Sequence, residues 1–170
     1  MPSQERQTAD AIVTAFNAMD IDRIISLRTP DCQRVFLPSS LNYNPQSNDS
    51  YRANLMGMKS IFTSFSITVN DVIEGTSEVS SAGDDGAIAK GGIVERKKIV
   101  MFVSARGDTP VGEYRNEYVW KMAFEEGGTR VSEWVEYVDV GMTRDFYPLL
   151  RGEMMRRAKG AAAAVKVEEG

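Results

Sequence analysis

The clearest chemical signal lies between Gly112 and Phe124. Alternate positions carry Tyr114, Asn116, Tyr118, Trp120, Met122 and Phe124; the positions between carry Arg115, Glu117, Val119, Lys121 and Ala123. A period of two predicts a strand with the first set facing inward. Trp120, Met122 and Phe124 suit a core. A buried phenol needs a hydrogen-bond partner, so Tyr114 and Tyr118, with Asn116 between them, are candidates to polarise a substrate carbonyl or hydroxyl. In a later run, Ser132, Trp134, Glu136 and Val138 share a face. If Trp134 and Val138 point inward, Glu136 goes with them. A carboxylate in apolar surroundings has a raised pKa and suits general acid or base work. Arg34 poses the same question in an earlier run, flanked on its face by Cys32 and Phe36. Its fixed donors can orient a carboxylate or hold an oxyanion. Arg34 and Glu136 also fit a buried salt bridge. Asp71, between Val69 and Ile73, is a weaker candidate of the same kind.

The composition narrows the chemistry further. The 170-residue chain has no histidine and one cysteine, Cys32. Triads that need an imidazole base and metal sites that rely on imidazole are therefore excluded. No disulfide can form within the chain, and Cys32 reads as a small core residue. Proton transfer must use Asp, Glu, Tyr, Lys or Arg. The net charge of −4 disfavours general binding to nucleic acid or to an anionic membrane. The polar N-terminus is not followed by an apolar signal core, and no apolar run approaches the roughly 20 residues of a spanning helix. A cytoplasmic protein is expected.

The elements that must position these residues follow from periodicity and punctuation. Ser3 caps a first helix bearing Ala9, Ile12, Phe16 and Met19. Asp20 or Asp22 caps a short second helix, ended by Pro30. Asp31 to Leu37 alternates as a strand, and residues 38–48 read as loop. Asn48 or Asp49 caps a third helix with a stripe of Tyr51, Leu55, Met58, Phe62 and Phe65. Ile67, Val69 and Ile73 mark a strand. Residues 75–92 read as a mobile loop, with a short strand near Ile88. Ile93 to Ala105 and Gly112 to Phe124 form a hairpin, and Thr129 to Val140 the last strand. Thr143 caps a final helix with Phe146, Leu149, Leu150 and Met154. Residues 1–158 form a single domain; residues 159–170 are a low-complexity tail expected to fray. Helices followed by long antiparallel strands give an α+β domain.

Six short motifs carry a resemblance: Arg28-Thr29-Pro30-Asp31-Cys32, Leu37-Pro38-Ser39-Ser40-Leu41, Asn48-Asp49-Ser50-Tyr51, Phe65-Ser66-Ile67-Thr68-Val69, Gly112-Glu113-Tyr114-Arg115-Asn116-Glu117-Tyr118 and Glu136-Tyr137-Val138-Asp139. In this order the chain resembles the SnoaL-like proteins of the nuclear transport factor 2-like superfamily, in the version found in fungal secondary metabolism. The resemblance implies a cone-shaped α+β barrel, with N-terminal helices on a curved, mainly antiparallel sheet and a C-terminal helix. It implies a homodimer through the outer sheet surface and an apolar pocket without metal or organic cofactor. Relatives include polyketide cyclases, ketosteroid isomerase, scytalone dehydratase, meroterpenoid isomerases and a semipinacolase of alkaloid biosynthesis. Carried over by position, the functional groups of the semipinacolase fall on Arg34, Tyr114, Tyr118 and Glu136. Scytalone dehydratase works with histidines, so its chemistry does not transfer. Many fungal relatives carry His where Arg34 and Asn70 stand, and the segment around residues 80–96 is longer than in the family.

The resulting expectation is a cofactor-independent isomerase or cyclase acting on an apolar, oxygenated small molecule. Glu136 is expected to be general acid or base, Arg34 to hold an oxyanion or set the charge of Glu136, and Tyr114 and Tyr118 to polarise the substrate. Asn116, Phe36, Trp120 and Trp134 are assigned to the binding walls. The alternatives are a dehydratase acting through the same residues and a non-catalytic binding or dimerisation module.

Overall fold

A computed structural model describes residues 1–80 and 93–168. In these residues five strands form one sheet: β1 (Arg28–Leu37), β2 (Ser64–Ser80), β3 (Ile93–Thr109), β4 (Gly112–Phe124) and β5 (Val131–Val138). Their spatial order is β1-β5-β4-β3-β2. β1 pairs with β5 in parallel, and every other pairing is antiparallel. Helices α1 (Gln4–Asn17), α2 (Ile21–Ser26) and α3 (Asn48–Ile61) precede most of the sheet; α4 (Val140–Asp145) and α5 (Tyr147–Glu168) follow it. This is the expected α+β cone with a curved, mainly antiparallel sheet.

Local chemistry sets the helix starts. The Ser3 side chain accepts from the backbone N–H of Arg6, and Asp20 from that of Arg23. Each satisfies an N–H that the helix itself leaves without a partner. Ser47, rather than Asn48 or Asp49, caps α3, because Asn48 is drawn away. Its Nδ2 donates to the Thr29 carbonyl at 2.9 Å, and its Oδ1 accepts from Arg28 Nε at 2.7 Å. Asp139 caps α4, so the expected single final helix is two, and Thr143 lies inside the first. Proline does not end α2. The helix stops at Ser26, and Pro30 lies within β1, an edge strand that tolerates a missing N–H.

The core lies between α1–α3 and the sheet. Ile12, Phe16, Ile24 and Leu55 pack against Ile99, Met101, Trp120, Met122 and Trp134, all buried. Two expectations are corrected. Residues 75–80, read as loop, extend β2 and pair with the start of β3, which begins at Ile93 as expected, with Ser80 opposite Ile93; the strand expected near Ile88 falls outside the described residues. Residues 159–168, expected to fray, continue α5, where four consecutive alanines favour helix without any buried face.

The β3–β4 turn sits over an aromatic cluster that supports Tyr114. Phe62 stands edge-on to both Phe65 (5.3 Å between ring centres) and Tyr114 (5.4 Å). Gly107 leaves room for it: a Cβ there would lie 2.5 Å from the Phe62 ring and 2.6 Å from the Ser64 carbonyl oxygen. Gly107→Ala is therefore expected to cost about 1–3 kcal/mol by overpacking. A thermal melt followed by circular dichroism checks this; an unchanged midpoint would contradict it.

Candidate active site

β4 sends Tyr114, Asn116 and Tyr118 to the same inward side, as its alternation predicts. Asn116 Nδ2 donates to both phenolic oxygens at 2.9 Å, and the two hydroxyls are hydrogen-bonded to each other. Each phenol carries one proton. One proton is used between the pair; the other has no acceptor among the described residues. Both tyrosines line a cavity of about 520 Å³, within the usual range for small-molecule sites. The unspent O–H is thus available to a ligand.

Burial holds these phenols in the protonated form. It raises the pKa of Tyr114, an effect partly offset by the hydrogen bonds from Tyr118 and Asn116. It raises that of Tyr118 well above the ordinary value, with Tyr114 and the Glu136 charge adding to the effect. Tyr51, buried beneath Arg34, is pushed up to about 12 by burial.

Arg34 completes the floor from β1. Its Nε and Nη2 donate to the two carboxylate oxygens of Glu136 at 2.8 and 2.7 Å, and Nη1 donates to Gln46 Oε1 at 3.0 Å. Gln46 is fixed in turn, because its backbone exchanges two hydrogen bonds of 2.9 Å with that of Arg34. The guanidinium lies between the rings of Phe36 (4.5 Å) and Tyr51 (4.4 Å). Burial works against its charge, but attraction and hydrogen bonds from Glu136 outweigh this and raise its pKa. Among the described residues three of its five N–H groups find a partner, which leaves two.

Of the residues singled out in the sequence, Arg34, Tyr114, Tyr118, Asn116 and Phe36 line this cavity together, whereas Glu136, Trp120 and Trp134 do not. Glu136 faces inward, but Arg34 lies across its carboxylate and leaves the side chain 1% exposed. It is a paired group beneath the floor, not a carboxylate in apolar surroundings facing substrate. The tryptophans sit deeper still, with ring centres 5.1 Å apart and both packed against Phe16, Trp134 edge-on, and are 2% and 0% exposed. Cys32 is a buried core residue, its thiol pKa raised by burial. Asp71 is exposed and lines a separate hollow with Phe102 and Tyr137.

Several site residues escaped the sequence reading. Gln46 comes from a stretch read only as loop. Asn54, Tyr147 and Arg151 reach the cavity from α3 and α5. The spacing Tyr147, Arg151, Met154, Met155, Ala158 marks one helix face and was the available signal. Arg28 is also buried; it donates to Asn48 and the Cys32 carbonyl and lies over the Tyr51 ring. Burial lowers its pKa.

No family model matches the chain. It is 27% identical over 147 residues to austinoid biosynthesis cluster protein H of Aspergillus calidoustus, covering 85% of this chain and 89% of the relative. The solved structure of AusH from Aspergillus nidulans superimposes with a TM-score of 0.61 at 27% identity, over 82% of this chain and 88% of that one. A pinacolase, BvnE from Penicillium brevicompactum, superimposes at 0.64 with 21% identity, over 91% and 92%. The architecture is also that of solved SnoaL-like and NTF2-like proteins. The chain thus has the SnoaL-like fold, in the form found among proteins of fungal secondary metabolism.

The raised phenol pKa values have a direct readout. The folded chain holds these protons more tightly than the unfolded chain. Their contribution to stability is therefore complete below about pH 10 and is lost as pH rises through the higher folded-state values. Ultraviolet titration of the native protein is expected to show Tyr51, Tyr114 and Tyr118 ionising later than the exposed tyrosines, with unfolding in the same range. Six tyrosines titrating together near 10 would contradict the site.

Proposed function

We propose that the chain is a cytoplasmic, cofactor-independent isomerase or cyclase that rearranges an apolar, oxygenated secondary metabolite by proton transfer, in a semipinacol-type step. The observation that carries this reading is the meeting on one cavity floor of an unspent phenolic proton and two unspent guanidinium N–H groups. The named pinacolase among the structural neighbours and the biosynthesis-cluster relatives support it.

The proposed step moves one proton between two substrate oxygens. A tyrosine hydroxyl gives its proton to a substrate carbonyl, while the neighbouring hydroxyl of the substrate returns a proton to the tyrosine pair. The bond on the carbinol carbon migrates, the carbinol becomes the new carbonyl, and the old carbonyl becomes a hydroxyl. Substrate and product have the same mass. Arg34 donates to the oxygen on which negative charge develops. Glu136 is a positioning residue: its two oxygens set the plane of the guanidinium. Among the described residues no carboxylate lines the cavity, which favours this relay over a dehydration that needs a carboxylate base.

Tyr118→Phe is expected to lower kcat about 10²- to 10⁴-fold, and Arg34→Gln about 10²- to 10³-fold, with the mass of the product unchanged in wild type. Glu136→Gln is expected to lower kcat more than it raises KM, because it disorders Arg34 without removing a binding contact. A panel of apolar α-hydroxy ketones and epoxides, followed by chromatography with mass detection, tests this. A product lighter by one water would establish the dehydratase, and full turnover by Tyr118→Phe would remove the relay.

The homodimer is proposed from the outer sheet face. Phe102, Val119 and Tyr137 lie side by side across β3, β4 and β5. Phe102 and Tyr137 are 38% and 52% exposed, an apolar row of the kind that a partner covers. Sedimentation is expected to give twice 18.8 kDa for wild type and a folded monomer for Tyr137→Glu; a monomeric wild type would contradict it.

A further inference from the structure

The helical wall of the cavity has a polar group of its own. Asn54 Nδ2 on α3 donates to the Tyr147 hydroxyl at 2.6 Å, so the phenol keeps its own proton to give. Arg151 follows one turn later on α5 and also lines the cavity. Unlike Arg34, it has no carboxylate within ion-pair distance among the described residues. Its neighbours Arg156 and Arg157 are both paired with Glu153. Arg151 is exposed, which places this charge where the cavity meets solvent. The described wall therefore holds two guanidiniums and no carboxylate, and only the inner guanidinium is neutralised.

We propose that Arg151 and Tyr147 form a second subsite that binds a carboxylate on the substrate, while the apolar body fills the cavity and the reacting oxygen meets Arg34 and the tyrosines. This deepens the reading of the cavity as the substrate site and rests on it. A guanidinium fork and a phenolic O–H match the acceptors of a carboxylate. At the rim the carboxylate keeps part of its hydration, so the cost of burying an ion is avoided. In a chain of net charge −4, an unmatched cation at the mouth also draws an anion to the opening.

The test uses two probes that differ in one charge: 1-pyrenebutyrate and its methyl ester. Binding is read by energy transfer from Trp120 and Trp134 to pyrene. Met142→Trp, which fills the cavity, is expected to weaken both probes. Arg151→Met is expected to weaken the carboxylate about five- to tenfold and to leave the ester within about twofold, while Arg151→Lys keeps most of the preference; circular dichroism confirms that each variant is folded. If Met142→Trp abolishes both and Arg151→Met changes the two probes alike, the carboxylate subsite is overturned and the cavity reading stands. If neither probe binds wild type, or Met142→Trp leaves both bound, the cavity reading fails and the subsite with it.

Discussion

The Arg34–Glu136 pair is the constraint around which the floor of the cavity is organised. Its two members lie 102 residues apart, on strands that meet as the one parallel pair among the described strands. In that register Arg34 stands opposite Trp134, and Phe36 opposite Glu136, so the guanidinium reaches along the strand to the carboxylate. A slip of one residue would turn Arg34 to the outer face and leave Glu136 buried without a partner. The penalty for such an uncompensated charge is about 3–5 kcal/mol, comparable with much of the stability of a small domain. The pair thus fixes the strand register and, through it, the place of Phe36 and of the loop that carries Gln46.

Above this pair the cavity is a surface of donors. Phenolic and guanidinium groups line it, and the carboxylate that neutralises Arg34 is turned away beneath it. Such a surface costs little reorganisation when an oxygen gains negative charge, because the donors are already oriented. It also divides labour between layers. The sheet supplies the phenols and the inner guanidinium, and the helices supply most of the enclosing wall.

Much of this was legible in the sequence, and the reason is local. β4 ends at the residues its alternation predicted, and period-two patterning placed Tyr114, Asn116, Tyr118 and Trp120 on one face before any neighbour was known. For Arg34 and Glu136 the patterning gives the face each shares with its neighbours, and leaves open whether that face is inward. Depth was not legible. Alternation states which face a side chain takes, not what lies in front of it; that Arg34 covers Glu136, and that the tryptophans lie under the floor, depends on the parallel pairing of β1 with β5. Gln46 gave no signal because a loop residue acquires its role from the strand it bridges. The cap of α3 shifted to Ser47 because Asn48 is held by Arg28, a contact between segments 20 residues apart. The alanine-rich end of α5 has nothing to bury, so its hydrophobic pattern said disorder where intrinsic propensity said helix.

The exposure of some cavity-lining positions on α5 has an evolutionary consequence. Met155 and Ala158 line the cavity yet make few demands on the core. Exchanges at exposed helix positions usually alter stability by no more than about 0.5 kcal/mol. A lineage can therefore reshape the volume of the cavity by drift along one helix, while the buried charge pair beneath resists change. A scaffold built in this way is suited to diversification: its buried polar groups are costly to lose, and the shape of its cavity is cheap to alter.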